Sequence, residues 1–213
     1  MIYKMEDIIA IAKAAPKMPR GMGDPKLAKN TESWAPYLRF LGGVVGMYRP
    51  KVALELGVYM GTATRHMALG SSKTKVIGVD KDFHPAVWDN VDGYENISLI
   101  TGNSTDLETK RDVAYALPGT EMVKSLIDLI FLDSTHDGDT PRKEFELYQP
   151  MFSDECLVVC DDLLGPDHLK KKMQEFWAWL PGEKAELHFL HPRLNTSYDE
   201  PGFGVSIVRR SHA

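Results

Sequence analysis

Cysteine is scarce in this chain: Cys156 and Cys160 are the only two. Both fall on a stretch that reads as a strand, where four residues of rise separate them by about 13 Å. A disulfide needs Cα atoms within about 7 Å. The spacing therefore argues against a bridge and predicts two buried thiols in a reducing, cytoplasmic compartment. Long apolar runs are missing too, and none approaches the roughly 20 residues of a membrane span, so no membrane partner is expected. The opening MIYKMEDIIAIAKAA is broken by charge, which disfavours a secretion signal. It reads as an amphipathic helix burying Ile8, Ile9 and Ala12. Positive charge is in deficit: 25 Lys and Arg face 30 Asp and Glu, a net charge of −5. That balance offers no footprint for a nucleic acid. There is no internal repeat, no low-complexity segment and no His/Cys cluster at zinc spacing.

What is present fits one globular domain, with or without an added arm: 213 residues, of which 43% are hydrophobic. Residues 1–31 read as a helix followed by an arm or lid. The lid reading rests on the stretch 15–31, which carries three prolines and two glycines. Residues 32–213 form the domain proper. Ser33 is a candidate N-cap for a helix through Trp34, Tyr37, Leu38, Leu41 and Val45. Strand signals then alternate with helix signals. Strands are expected at 52–56, 75–79, 97–101, 126–132 and 156–160, and two more near 185–190 and 203–209. Helices are expected up to Gly70, over 85–91, within 105–125, from Pro141 through Met151, and over 166–180. This alternation predicts an α/β fold with a mostly parallel sheet covered by helices on both faces.

Residues 52–66 hold the strongest local signal: an apolar run into Glu55, then Gly57, then Gly61, then a helical pattern. Such a turn lets a ligand approach bare backbone, and the helix start offers unpaired N–H groups. In open α/β sheets ligands bind outside the carboxyl ends of the strands. Four of the first five predicted strands end there in acids: Glu55, Asp80, Asp133, and Asp161 with Asp162. Asp80 is placed either to accept the hydroxyls of a ribose or to cap the next helix. Asp133, Asp161 and Asp162 come from strands expected to be neighbours. Their mutual repulsion is relieved by a hard divalent cation such as Mg²⁺, or by helix caps and pairing with Arg142 or a lysine. His136, three residues beyond Asp133, reads as a general base or as an exposed loop histidine. The spacing Glu-x-Gly-x-x-x-Gly differs from Gly-x-Gly-x-x-Gly, which disfavours a nicotinamide or flavin cofactor.

Val52–Ala68 (VALELGVYMGTATRHMA), Ile77–Asp80, Ile97–Asp106 (ISLITGNSTD), Ile127–His136 (IDLIFLDSTH) and Leu157–Asp162 (LVVCDD) follow the order of motifs in class I S-adenosylmethionine-dependent methyltransferases. Within that class the chain resembles the divalent-metal-dependent O-methyltransferases, both the catechol and caffeoyl-coenzyme A type and the macrolide-sugar type. The resemblance implies a Rossmann-like fold with a mostly parallel seven-stranded sheet, an antiparallel last strand and helices on both faces. It implies that Glu55, Gly57, Tyr59 and Gly61 surround the methionine part of S-adenosylmethionine and that Asp80 holds the ribose. Asn103, Ser104 and Thr105 then lie by the adenine. Asp133, Asp161 and Asp162 match the metal ligands, with Asp133 also beside the cofactor, and His136 and Asp133 are the catalytic pair. At the Asp162 position the catechol type has an amide, and at His136 it has a lysine. The implied reaction transfers a methyl group to a hydroxyl of a small-molecule acceptor, phenolic or sugar-like.

Other readings compete. An S-adenosylmethionine-binding regulator or accessory subunit needs the glycine loop but neither the acid triad nor His136. A hydroxylase-like relative could use the same metal site. Trp34, Trp88, Trp177 and Trp179 are packing residues or pocket walls. Trp177 and Trp179, two apart on one helix, are not expected to face the core together. The loop Leu190–Gly204 could close one side of the acceptor site. A homodimer is a possible assembly.

Overall fold

The computed structural model describes residues 2–15, 36–119, 126–163, 167–187 and 203–210. Ser33, Trp34, the arm from residue 16 and the loop through residue 202 lie outside the described residues. The elements are α1 (Met5–Ala14), α2 (Pro36–Tyr48), β1 (Val52–Leu56), α3 (Thr62–Gly70), β2 (Lys75–Asp80), α4 (Val87–Val91), β3 (Ile97–Thr101), α5 (Leu107–Ala116), β4 (Ile127–Leu132), α6 (Asp139–Tyr148), a 3₁₀ turn (Gln149–Met151), β5 (Phe152–Cys160), α7 (Asp167–Trp179), β6 (Glu183–Leu187) and β7 (Phe203–Arg209). No helix among the described residues is long and apolar enough to cross a membrane.

The strands form one seven-stranded sheet in the order β3-β2-β1-β4-β5-β7-β6. Pairing is parallel from β3 to β5, and β7 runs antiparallel to both β5 and β6. The expected last-strand reversal is therefore present. β5 starts four residues earlier than its apolar run, because Glu155 pairs with Arg209 across the β5–β7 ladder and Arg209 Nε meets the Glu155 carboxylate at 2.7 Å. The helix expected within 105–125 is confined to α5, and α6 opens two residues before Pro141.

Strand side chains alternate between two cores, as a period of 2 dictates. Ala53, Leu129, Phe131, Leu157 and Val159 face α1, α2 and α3. Leu54, Leu56, Ile130, Leu132, Val158 and both cysteines face α5, α6 and α7. The cysteines are free, buried thiols. In α1 it is Met5, Ile8, Ile11 and Ala12 that are buried, with Ile9 only half-buried. Trp177 and Trp179 both pack, contrary to the simple helix rule, because α7 is wedged between sheet and helix. Trp177 covers Gly204, while Trp179 meets Phe145 edge-on at 5.5 Å and carries Arg142 at 4.2 Å over its ring.

The first core closes where α2 and α3 cross with almost no side-chain spacing. A Cβ at Gly70 would fall 2.4 Å from the Gly42 carbonyl oxygen, a backbone atom that cannot rotate away. Gly70→Ala should force the helices apart at a cost of about 1–3 kcal/mol. That lowers the melting temperature by roughly 3–10 °C in a chain of this size, measured by thermal unfolding against Ser72→Ala as an exposed control.

Candidate active site

Chain order doubles back between β1 and β4: β2 and β3 extend the sheet one way from β1, and β4 and β5 extend it the other. This reversal opens a crevice at the carboxyl ends of the strands. The register aligns Leu56 with Leu132 and Leu132 with Cys160, so Gly57, Asp133 and Asp161 leave their strands at one level. Asp133 N–H donates to Leu56 O at 2.8 Å, and Asp161 N–H to Leu132 O at 3.1 Å. Gly57 has φ +92°, and a Cβ there would lie 2.2 Å from the Asp133 carbonyl oxygen. Glycine is required twice over, for its backbone angle and for the close approach.

Asp80 organises the glycine loop. Its Oδ2 accepts the N–H groups of Val58 at 2.8 Å and Tyr59 at 2.7 Å, and its Oδ1 accepts that of Asp82 at 3.0 Å. A carboxylate has about four lone-pair sites, so three are committed to backbone before any ligand arrives. Tyr59 itself is held at φ +48° with its ring exposed against His84, at 5.1 Å between centroids. Glu55 is buried beneath the loop and accepts a short hydrogen bond from Thr64 Oγ1.

Two cavities meet at Gly57. One, of about 310 Å³, lies between Asp80, Asn103, Ser104, Thr105 and Ser134, with Lys143 at its wall. The other, of about 290 Å³, lies between Glu55, Tyr59, Tyr37, Asp133 and Asp161. Asn103 Oδ1 accepts from the N–H and Oγ1 of Thr105 at 3.1 and 3.0 Å, which shapes the turn after β3. Asp133, His136 and Asp161 each present a donor atom within 4.8 Å of the others. Asp162 stands apart from that trio at φ +53°, its Oδ2 3.1 Å from His136 Nδ1. The other ring nitrogen, Nε2, lies 3.5 Å from Asp133 Oδ1.

A sequence model of the family described as "Methyltransferase domain" matches residues 54–163. The chain belongs to that family. Ribosomal RNA small subunit methyltransferase A from Lysinibacillus sphaericus is 23% identical over 112 residues, 53% of this chain and 35% of that protein, so the chain spans about a third of its length. Two solved structures share the fold. An O-methyltransferase from Bacillus cereus in complex with SAH superposes with a TM-score of 0.63 at 18% identity, covering 98% of this chain and 93% of that one. The O-methyltransferase TomG from Streptomyces achromogenes, involved in tomaymycin synthesis and in complex with SAM, gives 0.62 at 15% identity, over 99% and 93%.

The cleft of this methyltransferase is crowded with acids. Burial, above all, pushes Glu55 up to about 8, with the Asp80 charge adding to it against the Thr64 hydrogen bond. Asp133 and Asp161 are both raised, chiefly by burial and then by neighbouring carboxylates. A quarter of the Asp133 side chain opens to the cleft; the opening admits a ligand, while the surrounding protein still withholds solvation. Glu144, which the sequence reading did not single out, is fully buried on α6 and raised to about 7 by the same loss of solvent. Its only signal was its place on the inner face of α6 beside Phe145.

The sign of the pH effect follows from linkage. Each raised carboxyl keeps its proton in the folded chain where the unfolded chain, at about 3.9 for Asp and about 4.3 for Glu, has released it. Stability is therefore full below those values and falls as pH rises toward 8. Melting temperature should fall between pH 5 and 8, and Glu55→Gln should flatten that slope. An unchanged slope in thermal melts across this range would remove Glu55 from the account.

Proposed function

We propose that the chain transfers the methyl group of S-adenosylmethionine to a hydroxyl oxygen of a small phenolic or sugar-like acceptor, with a divalent cation, Mg²⁺ first, assisting. The observation that carries this reading is the meeting, at one level of the sheet, of a bare-backbone glycine loop and a carboxylate–imidazole cluster. The loop fits the cofactor: Gly57 lies where the two cavities meet, and those cavities can take the adenosine and methionine halves. The cluster fits a hard cation: Asp161 Oδ1 is buried without a hydrogen-bond partner among the described residues, and the donor set is oxygen with one imidazole nitrogen. The fold shared with SAH- and SAM-bound O-methyltransferases adds support.

When bound, S-adenosylmethionine supplies an electrophilic methyl group, and a divalent cation lowers the pKa of a coordinated hydroxyl. The chain's own groups do the rest. The loop from Glu55 to Gly61 fixes the methionine end, and Asp80 keeps one carboxylate site for the ribose. Asp133 and Asp161 anchor the cation side. The cleft walls around Gly57 and Asp133 would hold the cofactor and the acceptor side by side.

His136 has two roles to choose between. As a base it takes the acceptor proton while Asp162 completes the ligand set. As a ligand it offers Nε2, with Asp162 holding Nδ1–H and so fixing the tautomer. The 3.1 Å Asp162 contact and the trio within 4.8 Å favour the second reading. His136→Ala should then weaken Mn²⁺ binding by about 10- to 100-fold, read by calorimetry. Unaltered metal affinity with kcat reduced some 10²–10⁴-fold would return His136 to the role of base.

Net charge and the lack of a nucleic-acid footprint keep a small molecule ahead of the RNA substrate named for the Lysinibacillus relative. The primary test is a calorimetric titration with S-adenosylmethionine, with Mg²⁺ and again with chelator, using NAD as comparison ligand. Selective binding that survives chelation is expected. Asp133→Ala should retain that binding within a few-fold while losing metal-dependent turnover. No binding under either condition would overturn the assignment, and binding without turnover on any hydroxyl acceptor would favour a regulator.

A further inference from the structure

Glu144 is the buried acid for which the chemistry above has no use. It sits on α6 with no exposed surface. Its Oε1 accepts two hydrogen bonds, from Ser104 Oγ and from Ser134 Oγ, each at 2.5 Å. Ser104 belongs to the β3–α5 loop and Ser134 directly follows Asp133 in the β4–α6 loop, and both line the 310 Å³ cavity. Its Oε2 is buried with no hydrogen-bond partner among the described residues. A leucine would cost the fold less, since a half-satisfied buried carboxylate carries a desolvation penalty.

The arrangement fixes the polarity of the stretch of cavity wall made by the two serines, apart from Lys143. A serine hydroxyl has one proton and two lone pairs. Both protons are spent on Glu144, so toward the cavity these hydroxyls can only accept. An accepting wall suits a ligand edge that donates, such as the exocyclic amino group of adenine, and opposes one that presents a carbonyl there.

We propose that Glu144 is a positioning residue that ties the two loops together and sets Ser104 and Ser134 as acceptors, so that the cavity selects an aminopurine over an oxopurine. The inference rests on the cofactor reading above, with the adenosine half in this cavity.

The test compares S-adenosylhomocysteine with S-inosylhomocysteine, which differ at the purine amino group, by calorimetry on the full chain. The wild type should bind the adenosyl compound at least tenfold more tightly. Glu144→Ala frees both hydroxyls to donate and should bring that ratio toward one. Glu144→Gln, whose amide carbonyl can still accept from both serines, should keep it. Phe152→Leu, a core change at the opposite end of β5, should lower melting temperature without moving the ratio. If Glu144→Ala does not fold, the double variant Ser104→Ala/Ser134→Ala should lose the discrimination in its place. Wild-type binding with no preference, or a preference that Glu144→Ala or the double variant leaves intact, overturns the inference and spares the cofactor reading. Failure of the wild type to bind either compound overturns both.

Discussion

The contact between Gly57 and the Asp133 backbone governs the rest of the cleft. Two chain segments pass so closely there that a single methyl group has no room. The contact exists because β1 and β4 are parallel neighbours in a register that ends both at one level, with β5 in step. Every acid at this edge inherits its position from that register. A one-residue slip of β4 would reverse its two faces. It would also carry Asp133 out of reach of Asp161 and press a side chain into the glycine loop.

Placing carboxylates at that level has an electrostatic cost. Burial withholds water from Glu55, Asp133 and Asp161 and raises all three. The charge of Asp80 adds to it at Glu55, those of Glu55, Asp162 and Glu144 at Asp133, and those of Asp133 and Asp162 at Asp161. The chain offsets this in different ways. Glu55 is given a hydroxyl donor in Thr64, Asp80 is given three backbone N–H groups, and Asp162 is given an imidazole. Asp161 has the Asp133 carboxyl beside it, and its Oδ1 has no hydrogen-bond partner among the described residues. The uneven provision separates groups that organise the protein from groups held ready for something outside it. Asp80 is the clearest organiser, and its reach toward a ribose is narrower than its place after β2 implies.

Much of this was legible in the sequence, for a physical reason. Parallel strands buried on both faces show as near-continuous apolar runs, as Leu129–Leu132 and Cys156–Cys160 do. Their carboxyl ends are marked by the first charged residue after each run, which is how Asp133 and Asp161 were placed together. Glu144 was not legible. It lies in Asp139–Tyr148, a segment rich in charge, and its hydrogen-bond donors are serines 40 and 10 residues away in the chain. Trp177 and Trp179 escaped for a related reason: spacing along a helix says which residues share a face, not how many faces are covered. The trio with His136 in place of Asp162 also needed coordinates, because both aspartates follow the same strand and only the backbone angle at Asp162 turns its carboxylate toward the imidazole.

That angle ties the chemistry to the fold. A positive φ in a residue other than glycine costs about 1–2 kcal/mol, less for Asp than for most. Without the turn, Asp162 would continue the direction of β5. With it, its Oδ2 meets His136 Nδ1 at 3.1 Å, while Nε2 faces Asp133 Oδ1 at 3.5 Å without a hydrogen bond. The backbone turn after β5 thus sets which carboxylate the imidazole after β4 meets. The same β4–α6 loop passes from Asp133 through Ser134, held by Glu144, to His136. One short connection therefore joins the 310 Å³ cavity to the carboxylate–imidazole cluster.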